Sequence, residues 1–408
     1  MIPLPIDFVA ELGDVDRVPW TDEVTGVQVD SRRIEEGDLF VAVGDGAAYR
    51  KHAFARGAAA TLVPRDEHGA LAALGAAVRD RSSAQVVAIT GSMGKTTTKD
   101  VLAAIAFPQR RTVAAERSFN NEIGVPLTLC RIEEDTELVV LELAMRGFGQ
   151  IAELCSVARP QVGVVTMIAP VHLEKVGDLD GVVRAKSELI AALPAGGIAV
   201  VPQGFRVERD DLDIVRVGDD VRLEAFEPPA LRTSVGTIEV NFTARHLAQS
   251  ALVAVAAATA IGLELPDRLD VAFAEWRNQE LELPGGGVVI NDAWNANPIS
   301  MRAALEHLTA VAAGRRRVGV LGEMAELGAY ADEGHSEVAR AVQEIGVDLL
   351  LGVGERARVY GGRTVADADE AIAVLRDELQ PGDCVLVKGA RALGLERVAA
   401  ALASVPAA

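Results

Sequence analysis

The segment Gly91-Ser92-Met93-Gly94-Lys95-Thr96-Thr97 links an apolar run, Val86–Ile89, to a helix-forming stretch, Lys95–Ala106, that Pro108 closes. Glycines at such a turn let backbone N–H groups approach an anion, and the helix N-terminus adds positive potential. Lys95 suits the outer phosphates of a nucleotide, and the Thr96 hydroxyl suits Mg²⁺. The full GxxxxGK[ST] pattern is not met, because position 89 is Ile; the match is GxxGKT. Glu142 ends another apolar run, Val139–Leu143, so its carboxylate is expected at the carboxyl edge of a sheet as a ligand, direct or indirect, of Mg²⁺. His172 follows the apolar run Val162–Ile168 and falls at the same edge.

Lys186 is placed by periodicity. Val182, Lys186, Leu189, Ile190 and Leu193 share one face of a helix over 181–193. An unpaired ammonium is costly inside an apolar stripe. The side chain therefore snorkels, meets a charge cluster, or is modified. Further polar groups follow apolar runs late in the chain: Asn291-Asp292-Ala293-Trp294-Asn295-Ala296-Asn297-Pro298, Gly322-Glu323 to Glu326, and Lys388-Gly389-Ala390-Arg391. Asparagines beside an aromatic suit a nucleobase, and Lys and Arg suit phosphate or carboxylate. Asn297-Pro298 also reads as a helix start. Asp30-Ser31-Arg32-Arg33 after an early strand could hold an anion, or be a solvated turn.

These groups need strands ending at common edges, and the alternation of strands and helices supplies them. The expected fold class is α/β in three domains. Residues 1–83 form a small mixed α/β N-terminal domain, and 84–280 a central P-loop-type parallel sheet domain. Residues 281–408 form a C-terminal Rossmann-like domain. The polar stretch Arg79–Gln85 reads as a linker, and Pro284–Gly287 as a hinge.

The formal net charge is −19, from 40 Lys plus Arg against 59 Asp plus Glu. That balance argues against a nucleic-acid partner, whose binding rests on basic side chains. Cys130, Cys155 and Cys384 are widely spaced, form no metal-binding pattern, and suit a reducing compartment. The opening residues MIPLPIDFVAELGD lack the basic start and apolar core of a signal peptide. No apolar run approaches the roughly 18 residues that a membrane span needs. A cytoplasmic protein without a membrane span is expected.

Taken together, the segments resemble the Mur ligases. The matching stretches include Val29–Arg32, Gly37–Ala42, Ile89–Lys99, Asn120-Asn121-Glu-Ile-Gly through Thr128, Leu141-Glu142, Met145–Gly147, Gly149–Ile151 and His172–Glu174. They continue with Ala185-Lys186, Asn295–Pro298, Gly322–Gly328 and Lys388-Gly389, in family order across nearly the whole chain. The Asn-Asn-Glu-Ile-Gly and Asn-Ala-Asn-Pro pieces favour the branch that adds D-Ala-D-Ala to UDP-N-acetylmuramoyl-tripeptide.

The resemblance implies an ATP-dependent, ADP-forming ligase of cell-wall precursors, working through an acyl phosphate and as a monomer. It places the uridine nucleotide on residues 1–83, ATP on 84–280, and ATP plus the incoming dipeptide on 281–408. Gly91–Thr97 and Asn295 would serve ATP, with Lys95, Glu142, His172 and Lys186 catalytic. Thr96, Glu142, His172 and a carbamylated Lys186 would serve Mg²⁺. Ser31, Arg32, Asn120, Asn121, Lys388 and Arg391 would serve the substrates. The chain departs from the family pattern at Met167, which replaces an asparagine, in the helix after His246, which lacks asparagines, and at Ala390. The arginine usual at the start of the third domain has no clean match, Arg277 being displaced. Two other readings stay open: a paralogous ligase with another acceptor or donor, and a weakened nucleotide-binding scaffold. A switch GTPase fits poorly, since no Asn-Lys-x-Asp signal is found.

Overall fold

The structure, a computed structural model, describes residues 1–170 and 173–403. The central sheet is six-stranded and all parallel. Its order is Asp213–Val217, Ile198–Pro202, Val162–Val165, Gln85–Thr90, Leu138–Glu142, Thr112–Ala114. Its middle strands read as unbroken apolar runs because both faces are covered. Val86 and Ala88 point into one core with Val139 and Leu141, while Val87 and Ile89 point into another with Leu138 and Val140. On the second face the alanine-rich helix Arg245–Ala260 packs against the helix Lys95–Ala106.

The N-terminal part has a four-stranded sheet ordered Gly13–Arg17, Ala60–Pro64, Asp38–Val41, Gly26–Gln28. Only its first pair is antiparallel. One buried cluster runs from Leu4 and Leu62 through Leu71 and Leu74 to Val86 and Val139, so this part shares a core with the central sheet. The expected linker 79–85 is therefore part of the packed structure. Arg79 ends the helix Glu67–Asp80 and is buried, and its guanidinium donates to the carbonyls of Ala158 (3.0 Å), Ser82 (3.0 Å) and Arg159 (3.4 Å). Gln85 already belongs to the strand that leads to the phosphate loop.

The C-terminal sheet is ordered Gln279–Leu283, Gly287–Asn291, Cys384–Lys388, Arg317–Gly322, Leu349–Val353, Arg363–Val365. The expected hinge at 284–287 is instead a hairpin turn, since Leu283 pairs with Gly287 across an antiparallel edge. The other strands are parallel, with helices on both faces. A further four-stranded sheet, Leu223–Glu227, Ala230–Thr233, Gly236–Val240 and Arg268–Leu269, was not expected from the sequence. It covers the end of the helix Arg245–Ala260. No helix among the described residues is long and apolar enough to cross a membrane.

Arg79 holds carbonyls that Ala cannot reach, and a buried acceptor left unpaired costs about 1–3 kcal/mol. Arg79→Ala is therefore expected to lower the free energy of urea unfolding by about 2 kcal/mol. A change within about 0.5 kcal/mol, typical of surface substitutions, would show that these contacts do not fix the junction.

Candidate functional site

The carboxyl edges of the central and C-terminal sheets face each other across a cleft of about 1460 Å³. The phosphate loop forms its floor. Gly94 caps the helix Lys95–Ala106 at φ 78°, and Gly91 has φ 145°, both in the region that favours glycine. Space demands glycine as well. A Cβ on Gly91 would lie 2.0 Å from Thr166 Oγ1, and one on Gly94 would lie 2.7 Å from Ser250 Oγ. The neighbouring loop holds this turn in shape. Thr166 Oγ1 donates to the Met93 carbonyl at 2.5 Å, and Ser92 Oγ both donates to the carbonyl of Ala169 and accepts from the N–H of the same residue, each at 2.9 Å.

Lys95 and Thr96 open the helix. Lys95 Nζ donates to the Gly91 carbonyl at 2.9 Å. Burial lowers the Lys95 pKa, opposed by the attraction of Glu142 and aided by repulsion from Arg277. Thr96 Oγ1 donates to one oxygen of Glu142 at 2.7 Å, and Asn120 Nδ2 donates to the other at 2.7 Å. Glu142 is only 1% exposed. Asn121 lines the same cleft, but its side chain accepts from the N–H groups of Ile123 and Gly124 and so shapes the turn before the helix Gly124–Leu129.

Lys186 lies inward on the helix Leu179–Ala191 and is 1% exposed. Burial first, and then repulsion by Lys95, hold its pKa well below that of an ordinary lysine, against the pull of Glu188 and Glu142. Glu188 is occupied elsewhere, accepting from the N–H groups of Gly149 (2.7 Å) and Ala152 (3.1 Å). Lys95, Thr96, Glu142 and Lys186 thus form one electrostatic neighbourhood. His172 lies outside the described residues. Among the described residues no three or more His, Cys, Asp or Glu gather as a metal-ligand set. A hydroxyl and a carboxylate in contact are hard oxygen donors of the kind Mg²⁺ takes, with water and phosphate completing its shell.

The opposite wall belongs to the C-terminal domain. Lys388 is buried, and its Nζ donates to Asp292 Oδ2 at 2.6 Å and to the Asn295 carbonyl at 2.9 Å. Asn297 caps the helix Pro298–Ala312 in a capping box with Ser300, while Asn295 faces the cleft. The indoles of Trp276 and Trp294 stack with centroids 6.0 Å apart. The Arg391 guanidinium lies 4.3 Å over Trp276, and that of Arg277 lies 5.3 Å from Trp294. Trp294 is the aromatic already read beside the asparagines, whereas Trp276 is a cleft residue that sequence reasoning missed and Arg277 one that it left displaced. Trp276 and Asn278 have φ 61° and 50°, values uncommon without glycine, and this double turn carries Arg277 into the cleft beside Lys95.

Gly91 and Lys186 lie behind the cleft lining, and Ser31 and Arg32 stand apart from it. Ser31 is buried in a short 3₁₀ turn with its Oγ 2.9 Å from His52 Nδ1, and exposed Arg32 is paired with Asp30 at 2.7 Å. Val29, just before them, does line the cleft.

Known proteins share this arrangement. Residues 89–258 match the family described as Mur ligase middle domain, and residues 276–391 the one described as Mur ligase, glutamate ligase domain. The UDP-N-acetylmuramoyl-tripeptide–D-alanyl-D-alanine ligase of Mycobacterium bovis is 34% identical, over 98% of this chain and 98% of that one. A crystal structure of MurF from Acinetobacter baumannii is similar with a TM-score of 0.82 at 27% identity, covering 99% of each chain. So is a structure of the UDP-N-acetylmuramoylalanyl-D-glutamyl-2,6-diaminopimelate–D-alanyl-D-alanyl ligase of that organism. Its TM-score is 0.79 at 27% identity, over 98% of each chain.

His246 also lines the cleft, with its ring 6.1 Å from that of His307. Burial lowers its pKa from 6.5 to about 4; Asp292 opposes this, and His307 and Lys388 add to it. Between those values the unfolded chain binds more protons than the folded one, so stability falls as pH drops from 6.5 towards 4. At about 1.4 kcal/mol per pH unit the gap is worth about 3 kcal/mol. The stability lost between pH 7 and pH 4.5 is expected to be about 2 kcal/mol smaller in His246→Gln than in the parent, by urea unfolding. Equal losses would mean that His246 does not titrate in this way.

Proposed function

The chain belongs to the Mur ligase family, and on that footing we propose that it joins D-Ala-D-Ala to UDP-N-acetylmuramoyl-tripeptide in peptidoglycan precursor synthesis. It is an ATP-dependent carboxylate–amine ligase that releases ADP. The observation that carries the reading is the phosphate loop with its Thr96–Glu142–Asn120 chain, opening on a cleft walled by two sheet edges.

A carboxylate is a poor electrophile, so amide formation needs activation. A carboxylate oxygen of the tripeptide bonds to the γ-phosphorus of ATP as the bond to ADP breaks, which leaves an acyl phosphate. The amine of D-Ala-D-Ala adds to the acyl carbon, loses a proton, and expels inorganic phosphate from the tetrahedral intermediate. Two anions must meet in the first step, so cations must screen them. The loop N–H groups, Lys95 and Arg277 are placed to do so. Asn295 and the Trp276–Trp294 pair would border the adenine or ribose, and Lys388 and Arg391 the incoming substrate or its phosphate. Ser31 and Arg32 would serve the uridine nucleotide, on a domain of residues 1–83. ATP would be held by residues 84–280, and ATP with the dipeptide by 281–408.

Thr96, Glu142, His172 and Lys186 would hold Mg²⁺, which when bound neutralises phosphate charge. Lys186 would do so as a carbamate. Its depressed pKa favours the neutral amine, the form that adds CO₂ and loses a proton, and the product is an anion where an ammonium is disfavoured. Asn120 and Asn121 would act by holding Glu142 and the turn before Gly124. The protein would work as a monomer in the cytoplasm.

The test is amide formation and ADP release with UDP-N-acetylmuramoyl-tripeptide and a panel of D-Ala-D-Ala, meso-diaminopimelate, L-Lys and D-Glu. D-Ala-D-Ala alone is expected to stimulate, and Lys95→Ala is expected to reduce kcat about a hundredfold or more. No stimulation by D-Ala-D-Ala rejects the acceptor, and wild-type turnover in Lys95→Ala rejects the phosphate role.

A further inference from the structure

Six cationic side chains line the cleft, and five of them have duties. Lys95 opens the phosphate helix and is held by Gly91. Lys388 is ion-paired with Asp292, and Arg117 with Glu275. Arg391 pairs with Glu396 and lies on Trp276, while Arg277 lies on Trp294 beside Glu142. The sixth, Arg146, is exposed, and among the described residues its guanidinium has neither a carboxylate nor an aromatic partner.

Arg146 stands on a fixed mount. It lies four residues beyond Glu142, just past the carboxyl end of that strand. Its own N–H and that of Gly147 donate to Gln150 Oε1, at 2.6 Å and 3.2 Å. Glu188, two residues beyond Lys186, ties Gly149 and Ala152 to the Lys186 helix. The loop is thus pinned on both sides, and Arg146 lines the same cleft as Glu142, Lys95 and Thr96.

We propose that Arg146 anchors a carboxylate of the peptide stem other than the one that is activated. This rests on the ligase reading above. A glutamyl residue joined onward through one carboxyl keeps the other free, and a diaminopimelate whose one carboxyl is activated keeps its second. A planar guanidinium meets such a group with two parallel hydrogen bonds. Either carboxylate sits within a few bonds of the acyl carbon, so pairing it with Arg146 orients the donor without drawing the reacting oxygen away from the phosphate.

The test compares wild type with Arg146→Gln, using three donors. One ends in meso-diaminopimelate, one ends in L-Lys, and in one the free glutamyl carboxyl is an amide. Donor Kd is measured by calorimetry, and KM and kcat at saturating ATP and D-Ala-D-Ala. Arg146→Gln is expected to raise the Kd and KM of the diaminopimelate donor about ten- to hundredfold. The KM for ATP should stay within about twofold, and Arg146→Lys should recover part of the loss. If the glutamyl carboxylate is the partner, the amidated donor binds wild type weakly and loses nothing further in the variant. If it is the second diaminopimelate carboxylate, the L-Lys donor behaves so. Unchanged Kd for every donor, or an equal rise for all three, overturns the proposal. A wild type that binds donor yet makes no amide with D-Ala-D-Ala overturns the ligase reading instead, and the Kd comparison still decides the role of Arg146.

Discussion

A buried carboxylate governs the cleft. Glu142 ends an apolar strand and is almost wholly buried, where a carboxyl group is costly unless its oxygens are hydrogen-bonded. Thr96 satisfies one and Asn120 the other. Those two bonds join the phosphate-loop helix, the strand 138–142 and the turn before residue 124 into one unit. Lys95 and Lys186 both feel the attraction of that carboxylate. The shape of the loop is fixed separately, by Thr166 and Ser250 crowding it from adjacent elements and by its own Ser92 bonding to Ala169.

The second constraint is charge balance. The chain carries a formal charge of −19, yet the cleft is lined with cations. Acidic partners hold several of them at fixed angles: Asp292 for Lys388, Glu396 for Arg391, Glu275 for Arg117. Indole rings hold Arg277 and Arg391 from one face. An arginine spread on a ring keeps its charge for an incoming anion while losing little freedom on binding. Lys186 is the exception. Among the described residues it has burial without a committed partner, and burial favours its neutral form.

What the sequence made legible was local. The glycine–lysine–threonine turn, the helix Lys95–Ala106 and the strand ends at Glu142 and Asn291 follow from apolar runs and turn residues alone. The inward face of Lys186 follows from helical spacing. What stayed hidden depends on contacts distant in sequence. Arg79 looked solvated within a polar stretch, but its partners lie 79 and 80 residues away, at Ala158 and Arg159. Three consecutive glycines looked like a hinge, and only the pairing of 279–283 with 287–291 makes them a hairpin. Arg277 looked displaced because its approach needs Trp276 and Asn278 at positive φ, which no periodicity announces. Lys388 and Asp292, a ligand and an acid by composition, turn out to be partners.

The remaining step concerns how the two sheet edges stay opposed. On one side the segment 274–280 crosses between domains. The Ala274 N–H donates to Asp100 on the phosphate helix, and the Asn278 N–H donates to Asp292 in the C-terminal domain. Thr243 donates to Glu280, which also meets His307 at 3.0 Å. On the other side, Gly328 packs so closely on Glu174 that a Cβ there would lie 2.7 Å from the Glu174 Cγ. The cleft is therefore bracketed at both ends by contacts between the domains, and if one set breaks the other can serve as pivot. The strained, hydrogen-bonded 274–280 segment is the better pivot, because it is covalent and it carries Arg277. Rotation about it would bring Trp294, Arg391 and Lys388 of the C-terminal wall towards the phosphate loop while Arg277 stays near the axis beside Lys95, in the same motion that shuts out water.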